Sequence, residues 1–215
     1  MMFLNIMFAG LTYITIIAYY YISKRMYWIQ LTNTRQVDAF WAAFQGVIWA
    51  LAALAIRDGP QISIWTLLPI LPTALIYGQI SELPGMGFDL SSSFTPVQIT
   101  ALTFIGIAVI IYLGFIVYFL TSYTPFQVIK FFLPFLLFLT WMITWINTRS
   151  ETQNNQVIKY QYHLHHWMLA LLGFFVSRDC RIYSDIGSGI FWGIFCQELA
   201  SYGIAIPVDI KYVST

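Results

Sequence analysis

Charged residues are scarce in this chain: only 9% of its 215 residues are Asp, Glu, Lys or Arg, against roughly 25% in an ordinary soluble domain. A water-soluble fold of this length must cover its surface with polar side chains, and this composition cannot supply them. The formal net charge is +1, so no overall field draws the chain to nucleic acid or to an acidic partner. Histidine is limited to three residues and cysteine to two. Three histidines are too few for the metal cluster of a membrane desaturase or hydroxylase. All three lie between His163 and His166, whereas a bis-histidine haem draws its ligands from separate helices. The last apolar run contains no lysine for a retinal Schiff base, and no nucleophile elbow or phosphate loop occurs anywhere.

Cys180 falls in a short loop and Cys196 well inside the last apolar run. At helical rise the two are about 15 Å apart along the axis, beyond the reach of a disulfide. No Asn-x-Ser/Thr acceptor is present. The first apolar run lacks both a basic leader and a small-residue cleavage site, so it reads as a retained span.

Apolar residues are abundant: hydrophobic side chains make up 59% of the sequence and the mean hydropathy is +0.72. About 20 apolar residues cross a hydrocarbon core as a helix. Counted that way, the spans are Met2 to Ile22, Ala39 to Ile56, Ile62 to Ile80, Ile99 to Thr121, Phe131 to Ile146, Tyr162 to Ser177 and Ile186 to Ile206. The expected fold is therefore an all-α integral membrane protein, a single domain over residues 1–215 and a bundle of about seven transmembrane helices. Pro69 and Pro72 kink the third segment, and the count falls to six if that segment is re-entrant. With seven spans, Lys24, Arg25, Arg35, Arg149, Lys159 and Lys211 share one side, while Arg57, Lys130, Arg178 and Arg181 share the other. That excess places the N-terminus outside and the C-terminus inside. Tyr19, Tyr20, Tyr21, Tyr27 and Trp28 flank the end of the first span, and Trp141 and Trp145 lie near the end of the fifth. These are positions for an interfacial aromatic belt.

Functional signals gather in the C-terminal hairpin. Gly189, Gly193, Cys196, Ala200 and Gly203 recur at helical spacing, as do His166, Ala170, Gly173 and Ser177. In lipid, small-residue stripes let backbones approach, and the two stripes are expected to face each other. His163, His165 and His166 open the sixth span, and Glu198 lies at the depth of His166, each about 16 Å from the connecting loop. Ionisable groups at such depth suggest a functional site, here His163, His165, His166, Gln197 and Glu198. A divalent transition metal on His163, His166 and Glu198 is one reading, since imidazole and carboxylate together suit such ions. It competes with the predicted seam, which turns Glu198 away from His166 and leaves Gln197 as the nearer partner. Arg178 and Arg181 are candidate ligands for a lipid headgroup, with interfacial anchoring as the alternative.

The residues His163, His165, His166 and Trp167, followed by Arg178, Ser184, Gly193 and Gly203, resemble the hairpin of a set of uncharacterised multi-pass membrane proteins of protists, algae and their large viruses. The similarity covers residues 163–207, about a fifth of the chain, and implies a membrane protein without implying an activity. Where that set suggests a small or amide residue followed by glycine, this chain has Gln197 and Glu198.

From sequence, three functions compete. The first is a structural or assembly subunit of a membrane complex, in contact with membrane lipids and with other subunits or a second copy of itself. The second is an ion channel or transporter using a buried polar site around Glu198. A metal-dependent, lipid-directed enzyme using the histidine cluster is the third.

Overall fold

In the computed structural model, residues 2–26, 36–56, 62–82, 95–121, 150–153, 156–162, 166–177, 182–202 and 208–213 are described, together with single positions between 123 and 140. The helices are α1 (Met2–Arg25), α2 (Gln36–Ile56), α3 (Ile64–Leu67), α4 (Ile70–Ser81), α5 (Pro96–Leu120), α6 (His166–Val176) and α7 (Ile182–Tyr202). Among the described residues, three helical runs are long and apolar enough to cross a membrane: Phe3–Arg25, Asp38–Ala55 and Ile64–Ser81. Of the fifth expected span, only single helical positions between 132 and 140 belong to the described residues.

Local chemistry sets the helix boundaries. Ser63 caps α3 by accepting a hydrogen bond from the Thr66 N–H at 3.3 Å. Thr95 and Gln98 form a reciprocal cap on α5: Thr95 Oγ1 accepts from the Gln98 N–H at 3.3 Å, and Gln98 Oε1 accepts from the Thr95 N–H at 2.8 Å. Pro96 follows as the first helical residue, where its missing N–H costs nothing. This cap starts α5 three residues before the expected onset at Ile99.

The Pro-containing segment is one kinked run, with α3 and α4 joined through Leu68 and Pro69. Pro69 and Pro72 cannot donate to the carbonyls of Trp65 and Leu68, which opens the helix wall on that side. Backbone bonds from Leu68 to Ile64 and from Thr73 to Pro69 hold the rest of the turn together.

Helix α7 is the centre of the bundle and is buried along most of its length. Side-chain pairs fix the direction of its neighbours. Thr12 meets Trp192 while Tyr19 meets Gln197 and Ser201, so α1 runs parallel to α7. Thr66 lies against Gly189 and Thr73 against Gly193, so α3 and α4 run parallel to it as well. The other neighbours are antiparallel. Trp49 of α2 packs on Phe195 while Gly46 lies by Leu199. Tyr112 of α5 packs on Phe191 while Phe115 packs on Tyr183. In α6, Gly173 lies under Phe191, and the Ser177 carbonyl accepts from Ser188 Oγ.

Two features depart from the sequence expectation. First, the sixth apolar run forms a helix of only 11 residues, from His166 to Val176, about 16 Å at helical rise and short of a full crossing. Tyr162 belongs instead to a small antiparallel sheet of order β1-β2-β3, built from Ser150–Gln153, Gln156–Tyr162 and Val208–Val213. Val157, Ile158, Tyr160 and Tyr162 favour extended backbone, which explains why the strand takes this end of the apolar run. Second, α7 begins at Ile182, four residues before the expected start at Ile186. Positions 203–207 lie outside the described residues.

Candidate functional site: a buried polar stripe on the first helix

The glycine stripe does not face α6. A Cβ on Gly189 would collide with the Thr66 carbonyl and Pro69, and one on Gly193 with the Ile70 carbonyl and Thr73. The glycines thus bring α7 onto the proline-kinked wall of α3 and α4, where backbone meets backbone. The hairpin contact with α6 is carried instead by Gly173 under the Phe191 ring and by the Ser188–Ser177 bond. The expected seam is corrected accordingly: bulky Phe191 needs a glycine opposite, and the kinked segment needs glycines of its own.

Asn5, Thr12, Thr15, Tyr19 and Ser23 recur along α1 at intervals of seven, three, four and four, which keeps them on one face. Thr12, Thr15 and Ser23 are fully buried and Tyr19 nearly so. Tyr19 and Tyr20, expected in an interfacial belt, are both interior; Tyr21, by contrast, is exposed. Gly78 of α4 makes room for the Tyr19 ring, since any Cβ there would strike it.

At the lower end of the stripe, α1 and α7 share a hydrogen-bonded triad. Gln197 Nε2 donates to Tyr19 Oη at 3.2 Å and to Ser201 Oγ at 3.0 Å. Ser201 Oγ donates to Tyr19 Oη at 3.3 Å. Glu198, only 5% exposed, acts electrostatically on Tyr77, Tyr202 and Tyr19, and Glu82 acts on Tyr19 and Tyr202. Two carboxyl groups and three phenols therefore share the end of the bundle where α1, α4 and α7 finish.

Midway along the stripe, the Trp192 indole N–H donates to Thr12 Oγ1 at 2.9 Å, and Thr12 Oγ1 donates to the Phe8 carbonyl at 2.8 Å. Phe8, Phe174 and Phe195 surround the indole at centroid distances of 4.8, 4.7 and 4.9 Å. Aromatic packing and one hydrogen bond close the middle of the bundle.

Among the described residues, four buried oxygens near this stripe have no hydrogen-bond partner: Asn5 Oδ1, Thr15 Oγ1, Thr66 Oγ1 and Gln197 Oε1. An unpaired buried polar atom costs about 1–3 kcal/mol, so such atoms concentrate where a ligand, an ion or water enters.

Of the residues singled out from sequence, Gln197 and Glu198 are buried in α7, Gln197 in the triad and Glu198 within electrostatic reach of Tyr19. His166 is the first residue of α6. Counting one heptad along both helices from the Gly173–Phe191 contact puts Glu198 level with it. His163, His165, Arg178 and Arg181 lie outside the described residues. Among the described residues, no group of three His, Cys, Asp or Glu side chains could hold a metal ion. Cys196 is free and buried. The spacing of the α1 stripe is a signal the sequence carries, masked because Tyr19 also fits an interfacial belt and the threonines sit inside an apolar run.

The chain matches no family model, no curated protein and no solved structure.

Proposed function

We propose that the chain is a multi-pass membrane protein that moves an ion through the buried polar site linking Glu198 and Gln197 of α7 to the polar face of α1. The observation that carries this reading is the set of unpaired oxygens within a helix bundle otherwise packed with apolar side chains. Polar groups buried at membrane depth are costly and mark ion or substrate pathways. A proline-broken helix packed against them is a recurrent feature of such pathways.

The helix directions support the topology. Helices α1, α3–α4 and α7 run one way, and α2, α5 and α6 run the other, as expected if seven spans alternate across the bilayer. Parallel α1 and α7 put the start of one and the end of the other on opposite faces. With the excess of basic residues, this favours the N-terminus outside and the C-terminus inside.

The test is ion flux into liposomes reconstituted with the purified protein. Protein-dependent flux of a proton or monovalent cation, reduced in Glu198→Gln, is the expected result. Flux equal to that of empty liposomes overturns the reading. Flux that is present but unchanged in Glu198→Gln removes Glu198 from the pathway.

A second reading, as an assembly subunit of a membrane complex, draws on the apolar outer face of α5, where Phe104, Ile107, Ile110 and Phe115 are exposed. Copurification of stoichiometric partners in mild detergent would support it.

A further inference from the structure

We infer that the β2–β3 ribbon is a second membrane-binding element, an amphipathic sheet lying in the bilayer interface with one face on lipid and its paired lysines among anionic headgroups. Strand register is the first argument. Tyr162 pairs with Val208, Tyr160 with Ile210 and Ile158 with Tyr212. Residues directly opposite share a face, and every second residue returns to it. Together they make one apolar, tyrosine-rich face. Its reverse carries Gln161 with Asp209, Lys159 with Lys211 and Val157 with Val213. Strand β1 holds only Ser150, Glu151, Thr152 and Gln153, so the apolar patch is confined to the two strands tied to the helices. Glu151, opposite Ile158, falls on the tyrosine side but on the edge strand, furthest from β3.

Height is the second argument. His166 opens α6 level with Glu198, one turn before α7 ends at Tyr202. The four Cα steps from Tyr162 to His166 reach at most about 14 Å. The pair Tyr162–Val208 joins both connections to the same end of the sheet. The sheet is therefore held at the end of the bundle where α7 finishes. Helix α1 runs parallel to α7 and finishes there too, and its Lys24 and Arg25 are exposed, as at a boundary with water. Tyrosine suits that boundary, with an apolar ring and a polar tip.

Cover and charge are the third. A small sheet with one apolar face is stable only when that face is covered. Among the described elements, the strands share their extended contacts with one another and with no helix. Lys159 lies directly opposite Lys211, and like charges so placed repel. An anion beside the pair turns that repulsion into attraction. Anionic lipid meets both needs at once: it covers the tyrosine face, and its headgroups surround the lysines of a sheet sunk in the interface. The inference holds whether or not the bundle moves an ion.

The experiment uses the full-length chain with Cys180→Ser, in liposomes of phosphatidylcholine with or without phosphatidylserine. Cys196 is buried and escapes labelling. A nitroxide is attached at Ile210→Cys or Lys211→Cys, and on the neighbouring strand at Tyr160→Cys or Gln161→Cys. Its collisions are compared for oxygen, which concentrates in lipid, and for a water-soluble nickel complex. Positions 210 and 160 should favour oxygen, and positions 211 and 161 nickel. Phosphatidylserine should shift the label at 210 further toward oxygen, and Lys159→Gln with Lys211→Gln should abolish that shift. Nickel-favoured collisions at all four positions put the sheet in water and overturn the inference. Labels at 210 and 160 shielded from both reagents mean that protein covers the face, which overturns it equally. A phosphatidylserine shift that survives both lysine substitutions overturns the headgroup contact.

Discussion

Trp192 donates its indole N–H to Thr12 Oγ1 at 2.9 Å, joining the last described helix to the first in the centre of the bundle. The hydroxyl itself donates a hydrogen bond to the Phe8 carbonyl, so a single threonine serves two helices.

Thr12→Val should leave the buried indole without an acceptor and destabilise the protein by about 1–3 kcal/mol, the cost of an unpaired buried donor. Thermal unfolding in detergent measures it. Trp192→Phe removes the donor, and in that background the valine should cost clearly less. Equal costs in both backgrounds would show that the bond contributes nothing.

Gly189 and Gly193 lie on the backbone of α3 and α4, whereas a Cβ on Gly114 of α5 would meet nothing within 4 Å. Gly189→Ala and Gly193→Ala should therefore lower stability by about 1–3 kcal/mol through overpacking against a wall that cannot turn aside. Gly114→Ala should be neutral or mildly stabilising, because alanine is the better helix former. The melting temperatures of the three variants, measured side by side, decide the point. Three equal values would mean that the glycines do not make this seam.

Gly173 lies beneath the ring of Phe191. Gly173→Ala should destabilise the α6–α7 hairpin, and Phe191→Leu in the same chain should recover part of the loss by withdrawing the ring. Additive losses in the double variant would place Phe191 elsewhere.

The existence of most helices was legible from sequence. Met2 to Ile22 became Met2–Arg25, and Ala39 to Ile56 became Gln36–Ile56, because a long apolar run has one stable form in lipid. Which faces meet was less legible. In water, a helix advertises its buried face by polar contrast; a helix apolar all round carries no such contrast. The glycines of α7 announced a close approach without naming the partner, and Pro69 and Pro72 in the opposing wall were the missing clue. On α1, contrast was present but inverted, with the polar residues inside. The strand Gln156–Tyr162 was hidden for a different reason. Its β-branched and aromatic residues alternate with Lys159 and Gln161, a period of two that polarity alone obscures.

The most enclosed helix of this bundle is also the last of its described helices to leave the ribosome. When α1 is made, neither Trp192 nor Gln197 yet exists, and the polar edge of α1 lacks the helix that covers it. A truncation removing α7 should therefore leave that edge uncovered and the earlier helices prone to degradation.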